Sequence, residues 1–341
     1  MNLKDDILDL KQDTSISINT SINRRIYRFV DLCCGIGSFH LSMGDRGQCV
    51  MACDILPSAK LTYKENYNIE CLDDLTRVDY STINADIVFS GNPCQSFSNI
   101  GKRAGLEDSR GDLFNFIIDN IVSTQKYKVI VFENVDGLTT HNNGETFKYL
   151  LSKIKALDYN VLWRVLLCSD YGIPQNRKRV FIICFRLELE HDENLFDSIL
   201  EKYKSTVSLT DYMNNGKKFK KDIAYTIRCG GFHSPIDSKQ NWDGYILEDG
   251  SEYRLTIDDM KHLQGFPSNF KLIGSSTEQR KLLGNTIPTN FTKIICEYII
   301  SILDRKYKYK ENLHNCLLNG EFTEEEYNQI ITNEYLTDYT N

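Results

Sequence analysis

Tyr27-Arg28-Phe29-Val30-Asp31-Leu32-Cys33-Cys34-Gly35-Ile36-Gly37-Ser38-Phe39 decides the fold. Its first six residues read as a short buried strand, Gly35 and Gly37 supply a tight turn, and the residues after them open a helix through Met43. Cys49-Val50-Met51-Ala52-Cys53 is a second strand, ending in Asp54. Further strands are expected at Ile87-Val88-Phe89, Lys128–Phe132 and Val180–Phe185, with helical stretches between them. Strands alternating with helices predict an α/β fold, a doubly wound, mostly parallel sheet. With 341 residues the chain exceeds one ordinary core, so a second, smaller domain is expected.

In open parallel sheets ligands bind beyond the carboxyl ends of the strands. Gly35 and Gly37 let the backbone approach a ligand there, and the Asp54 carboxylate suits ribose hydroxyls. The third glycine of the dinucleotide fingerprint is replaced by His40, which disfavours NAD. The turn alone selects no particular nucleotide, and a plain strand-to-helix turn has the same sequence. Asn92-Pro93-Cys94-Gln95 ends the third strand and puts a cysteine on a loop at the same sheet edge. Glu133-Asn134-Val135 follows the strand ending at Phe132, and Gln175-Asn176-Arg177-Lys178-Arg179 precedes the last, with Arg177 and Arg179 expected on one face. Read singly, these are an inert cysteine, a surface glutamate and a solvated charge run.

Forty basic and 47 acidic side chains give a net charge of −7, which argues against a protein that coats nucleic acid but leaves room for a local basic face. No stretch is apolar enough to span a membrane, and Met1–Asp13 has no signal-peptide pattern. Eleven cysteines without a Cys-x-x-Cys predict a reduced, cytoplasmic protein, nucleoid-associated in a bacterial host, with no metal site. The adjacent pair Cys33-Cys34 reads as packing.

In order along the chain, Asp31–Phe39, Asn92-Pro93-Cys94-Gln95-Ser96-Phe97-Ser98, Glu133-Asn134-Val135, Gln175-x-Arg177-x-Arg179, Arg254-Leu255-Thr256 with Leu263-Gln264-Gly265-Phe266-Pro267, and Gly284-Asn285 resemble the motif set of the cytosine-5 DNA methyltransferase family. The resemblance runs from about Tyr27 to Leu303. It implies a Rossmann-like, S-adenosylmethionine-dependent methyltransferase that adds a methyl group to C5 of a cytosine flipped out of DNA. By the same resemblance Cys94 is the nucleophile that adds to C6, Glu133 holds the ring N3 and exocyclic amine, Arg179 binds O2, and Arg177 supports the pocket. S-adenosylmethionine is expected against Asp31, Cys33, Gly35, Gly37, Asp54, Ile55, Asp74, Pro93, Leu113 and Asn285. Gln95, Ser98, Asn134 and Gln175 are expected on the substrate side.

Two residues depart from the family pattern: Cys33 stands where a phenylalanine is usual and Ser38 where a glycine is. The resemblance also implies a target-recognition segment between the Gln-x-Arg-x-Arg and Leu-Gln-Gly-Phe-Pro motifs. Here Phe185 is followed only 41 positions later by Thr226, where text similar to the conserved part of the small domain resumes. Little remains except the basic turn Asn214–Lys221, which predicts relaxed sequence specificity or recognition supplied by another chain.

The expected domains are an extension over 1–25, a catalytic domain over 26–187 plus 282–304, a reduced small domain over 188–281, and a basic hinge with a helical module over 305–341. In the last, Arg305, Lys306, Lys308 and Lys310 form the hinge, and Asn312–Tyr335 reads as two short helices, the second capped by Thr323 and Glu326. Leu317–Tyr327 is similar to a short oligomerisation module, which implies self-association or a protein partner through 311–336. Three other readings stand beside this one. A nicotinamide oxidoreductase leaves Cys94, Glu133 and Arg179 unexplained. A silent nucleic-acid-binding relative would need a broken site. An RNA-directed enzyme of the same fold shares the motifs, but the Cys-Phe-Thr signature of the tRNA-directed branch is absent from the sequence.

Overall fold

The computed structural model describes residues 24–92, 112–124, 126–189, 191–319 and 323–326. The large unit begins with β1 (Tyr27–Leu32), α1 (Ser38–Met43), β2 (Gly47–Cys53), α2 (Pro57–Tyr67), β3 (Ile87–Gly91) and α3 (Asp112–Asn120). It continues through β4 (Val129–Val135), α4 (Gly137–Thr140), α5 (Glu145–Lys155), β5 (Tyr159–Leu167), β6 (Lys178–Arg186) and α6 (Glu193–Tyr203). The six strands form one sheet in the order β2-β1-β3-β4-β6-β5. Pairing is parallel from β2 to β4 and antiparallel where β6 joins β4 and β5. After β1 the chain crosses to β2 on one side and returns to β3 on the other, which makes the carboxyl ends of β1 and β3 a topological switch point.

β4 is buried at all seven positions because helices cover both faces of the sheet, which is why it reads as a continuous apolar run. One face carries Phe29, Phe89 and Val131 against the long last helix, α10 (Thr289–Leu318). The other carries Val30, Val88 and Phe132 against α3 and α5. In α10, Phe291, Ile294, Ile295, Tyr298, Ile299 and Ile302 are buried along one stripe, the pattern of an amphipathic helix laid on a sheet. The strand β5 was not anticipated in the sequence. It is the sheet edge, with Trp163 and Val165 partly exposed, so its apolar residues do not form the unbroken run that marks a buried strand.

The smaller unit holds α7 (Leu209–Met213), the hairpin β7 (Gly244–Ile246) and β8 (Glu252–Arg254), α8 (Ile257–Leu263) and α9 (Ser276–Asn285). Capping boxes start both α8, through Thr256 and Asp259, and α9, through Ser275 and Glu278. Its core, around Trp242, Met260, Leu263 and Leu283, also takes in Ile36 and Ala59 of the large unit.

Two sequence expectations are corrected here. Leu189, Phe196 and Ile199 pack in the core shared by β1, β3 and α10, so the large unit extends through α6 and the boundary at 188 falls too early. The hinge expected at 305–310 is helix instead: α10 runs unbroken through Arg305, Lys306, Lys308 and Lys310, and the first expected short helix is its last turns. Basic residues without glycine or proline do not interrupt a helix. The Thr323 cap is present, with Thr323 N donating to Glu326 Oε2 at 2.8 Å and Glu326 N to Thr323 Oγ1 at 3.1 Å.

The seat between the units is close. A Cβ at Gly284 would lie 2.5 Å from both Arg228 C and Cys229 N, which are backbone atoms and cannot turn away. Gly284→Ala is expected to cost about 1–3 kcal/mol by overpacking. Thermal unfolding should show a fall of several degrees; an unchanged midpoint would show that the two segments separate freely.

Candidate active site

At the end of β1 the chain turns through three left-handed residues, Cys33 (φ 50°), Gly35 (φ 54°) and Gly37 (φ 81°). Gly37 must lack a side chain, because a Cβ would lie 2.4 Å from the Tyr67 ring. Asp54, just past β2, fastens the turn: its Oδ2 accepts Gly35 N at 2.8 Å and its Oδ1 accepts Leu56 N at 2.8 Å. Ser38 explains its own departure from glycine, since its buried hydroxyl donates to Ile287 O at 2.6 Å and lies 2.9 Å from Thr286 Oγ1. That ties the start of α1 to the connection between α9 and α10. Asp31 is 2% exposed and accepts the Tyr63 hydroxyl at 3.1 Å, and burial holds its carboxyl well above the usual range.

Glu133 and Arg179 meet through strand register. Val135 pairs with Arg179 across the antiparallel β4–β6 ladder, so Glu133, two residues back on the same face, is its diagonal neighbour. Arg179 Nε lies 2.7 Å from Glu133 Oε1, with both side chains almost covered. Burial pushes the Glu133 carboxyl up, and Arg179 and then Arg177 pull it back only in part. The result is a carboxylate already oriented by one donor, with an affinity for protons above that of an exposed glutamate.

Arg177 does something else. It lies just before β6, is 2% exposed, and donates to three carbonyls: Ile227 at 2.9 Å, Gly284 at 3.2 Å and Thr286 at 2.8 Å. Arg177, expected beside Arg179 as a support of the pocket, is placed as a bracket between the two units. Gln175, expected on the substrate side, is fully buried and similarly occupied. Its Nε2 donates to Leu263 O at 2.8 Å and its Oε1 accepts Ile227 N at 3.3 Å. Asn134 is 1% exposed; its Oδ1 accepts its neighbour Val135 N, and its Nδ2 has no partner among the described residues.

A cleft of about 1520 Å³ opens at the switch point. One wall carries Asp31, Cys33, Gly35, Asp54, Ile55, Asp74 and Leu113; Glu133 and Arg179 stand further along, and the far wall is Tyr225–Gly231 with Ser238–Trp242 and Asn285. Ile55 is 80% exposed, an apolar side chain left open beside Asp54. Asp74 is partly occupied: its Oδ1 accepts Thr76 N at 2.9 Å and Thr76 Oγ1 at 2.7 Å. Asn285 Oδ1 accepts the Cys229 thiol at 2.5 Å. The expected Cys94, Pro93, Gln95 and Ser98 lie outside the described residues.

Sequence reading marked Ser38 only as a departure from glycine and Gln264 only as part of a motif, and it gave no role to Thr286 or to Tyr225–Gly231 as a wall of the cleft. Gln264 is fully buried and joins Gln175 Nε2 at 3.3 Å, and it donates to Leu283 O. Lys217–Lys221, in the basic turn left of the recognition segment, do not line the cleft; Lys221 stands 4.6 Å over the Tyr225 ring at its edge.

The family model for C-5 cytosine-specific DNA methylase matches residues 27–249 and 226–301. The type II methyltransferase M1.ScrFI of Lactococcus lactis subsp. cremoris is 31% identical over 316 residues, covering 83% of this chain and 80% of that protein. The type II methyltransferase M.MspI of a Moraxella species is 32% identical over 294 residues, covering 80% of this chain and 70% of that protein. Among solved structures, the Dnmt2 methyltransferase of S. pombe superposes with a TM-score of 0.63 at 16% identity, covering 82% of this chain and 99% of that one, a likeness of fold. The chain belongs to the C-5 cytosine-specific DNA methylase family. No helix among the described residues is long and apolar enough to cross a membrane.

The two arginines should separate experimentally. Arg177→Met removes three charge-assisted hydrogen bonds from buried carbonyls and is expected to cost about 3 kcal/mol or more. A fall in melting temperature on the order of 5–10 °C is expected. Glu133→Gln should leave the melting temperature within about a degree or two while methyl transfer falls by roughly two orders of magnitude or more. The opposite pattern in calorimetry and single-turnover assays would reverse the two roles.

Proposed function

We propose that this chain methylates C5 of a cytosine flipped out of DNA, through a covalent bond between Cys94 and C6, with S-adenosylmethionine as methyl donor. The observation that carries the reading is the buried Glu133–Arg179 pair, 2.7 Å apart, on the wall of the cleft entered by the glycine turn. A cytosine edge presents O2, N3 and the exocyclic amine in a row. Arg179 offers a donor to O2 and Glu133 an acceptor to the amine beside it, in the order the base requires. Burial that raises the Glu133 carboxyl lets it share a proton with N3 as the ring gains charge. That draws electrons from C6 and eases addition of the Cys94 thiolate, the step that makes C5 nucleophilic.

The adenosyl half of the donor fits the first wall. Gly35 has open space where a side chain would stand, and Ile55 presents an uncovered apolar face. Both Asp54 oxygens accept backbone N–H groups, and each keeps a lone pair for a ribose hydroxyl. When bound, S-adenosylmethionine supplies the electrophilic methyl carbon. Asp31 holds Tyr63 rather than facing outward unpaired, and its role is to brace the turn.

DNA is the partner we assign to the cleft, with Lys178, Arg228, Lys239 and Lys281 on its lining suited to phosphate. The far wall is short, which supports recognition of a few bases or recognition shared with another chain. A partner bound through 311–336 rests on the similarity of Leu317–Tyr327 to an oligomerisation module, with the Thr323 cap as its structural support. In domain terms the catalytic part then spans 26–203 with 282–318, and the small part 204–281.

The deciding experiment is incubation with cofactor and DNA containing 5-fluorocytosine, beside an RNA control. A denaturation-resistant complex should form on DNA and be absent with Cys94→Ser. Equal trapping by the serine variant would overturn the nucleophile, and trapping on RNA alone would favour the RNA-directed alternative. Bisulfite mapping of unmodified DNA in the same series should show methylation in a context of few bases; a strict motif of about six base pairs, with each wrong pair costing on the order of 1–3 kcal/mol, would overturn the reading of the short wall.

A further inference from the structure

The adjacent cysteines Cys33-Cys34 read in sequence as packing, but the fold brings a third thiol to them. Cys34 Sγ lies 3.8 Å from Cys71 Sγ, two sulfurs 37 residues apart in sequence and in contact in space. Cys34 is 8% exposed and lines the cleft within the glycine turn, whereas Cys71 is half-buried and closer to solvent. Among the described residues no group of His, Cys, Asp or Glu side chains is arranged to hold a metal, so the contact is between thiols alone.

We propose that Cys34 and Cys71 form an oxidation site whose disulfide lowers the affinity of the cleft for the adenosyl cofactor; the second half of this statement rests on the cofactor assignment above. Hydrogen peroxide is the oxidant. The Cys71 sulfur attacks one peroxide oxygen, the O–O bond breaks, and Cys71 becomes a sulfenic acid as one water leaves. Cys34 sulfur then displaces the sulfenic oxygen as a second water, giving one S–S bond from two thiols and one peroxide. The order follows access. Burial pushes the Cys34 thiol well above its ordinary range, with the Cys71 contact and the Asp31 charge adding to it, so Cys34 is the resolving partner.

The consequence follows from what the two residues hold. Cys34 N donates to Cys53 O at 3.0 Å, and Cys34 O accepts Gly37 N at 2.8 Å. Cys71 precedes Leu72, which donates to Ala52 O at 2.9 Å and accepts Asp54 N at 3.0 Å. Bond formation draws the sulfurs together to about 2.0 Å. The displacement therefore falls on the turn and on the segment that positions Asp54, the two backbones that form the adenosyl wall.

The test uses the full chain in a Cys94→Ser background, so that oxidation at the proposed nucleophile contributes nothing. After mild peroxide treatment and alkylation, peptide mass spectrometry should find Cys34 linked to Cys71, two hydrogens lighter than the free pair and released by dithiothreitol. Calorimetry with S-adenosylhomocysteine should show roughly tenfold weaker binding, restored by the reductant and absent when Cys71→Ser is added. Free, alkylated Cys34 and Cys71 after treatment would overturn the site, and a linked pair with unchanged affinity would overturn its effect. If the reduced protein bound no S-adenosylhomocysteine, the cofactor assignment would fail while the mass-spectrometric result stood by itself.

Discussion

The guanidinium of Arg177 is the contact on which the site's geometry depends. It is a buried cation that donates to carbonyls of Ile227, Gly284 and Thr286. Those carbonyls come from three places: the far wall of the cleft, the end of α9, and the connection into α10. A planar group with a fixed fork of donors can hold three such segments at set angles, and a lysine cannot. Because Arg177 stands two residues before Arg179, the same stretch of chain fixes both the relative position of the two units and one half of the Glu133–Arg179 pair.

That coupling makes the cleft a product of the sheet rather than of loops. Glu133 and Arg179 belong to neighbouring strands whose register is set by buried apolar residues on both faces, so a slip of one residue would send Glu133 to the opposite face. Asp54 is held similarly by the parallel pairing of β1 and β2 and by its two backbone donors. Groups placed this way arrive at a ligand already oriented, and little ordering remains to be done on binding.

The sheet, the glycine turn and the positions of Asp54, Glu133 and Arg179 were legible in the sequence because each depends on local pattern: an apolar run, a pair of glycines, a charge at a strand end. What Arg177 and Gln175 bind was not legible, for a physical reason. Their motif spacing is local, but their partners, Ile227, Leu263, Gly284 and Thr286, lie 50 to 109 residues away, and nothing at positions 175 and 177 announces them. Ser38 looked like a defect in a glycine turn, and only the neighbouring Thr286 and Ile287 show that its hydroxyl has acceptors to meet. The hinge expected at Arg305–Lys310 failed because a run of basic residues is compatible with a helix whose other face is buried.

The far wall is small, but it is rigid. Trp242 is 1% exposed and its indole donates to Gly230 O at 2.8 Å, while Asn241 exchanges two 2.9 Å hydrogen bonds with the backbone of Gly244. Buried Asp243 binds Arg254 at 3.2 Å and accepts His233 N, holding His233 in a left-handed conformation at φ 61°. These anchors sit under an exposed ten-residue loop, Gly231–Gln240, so the loop's ends cannot drift even though its middle faces solvent. A wall of this kind offers few base-edge contacts, yet each would be made without first ordering the chain that carries it. Limited reach combined with fixed geometry suits the recognition of few bases proposed above, since few contacts are available and little chain has to be ordered to make them.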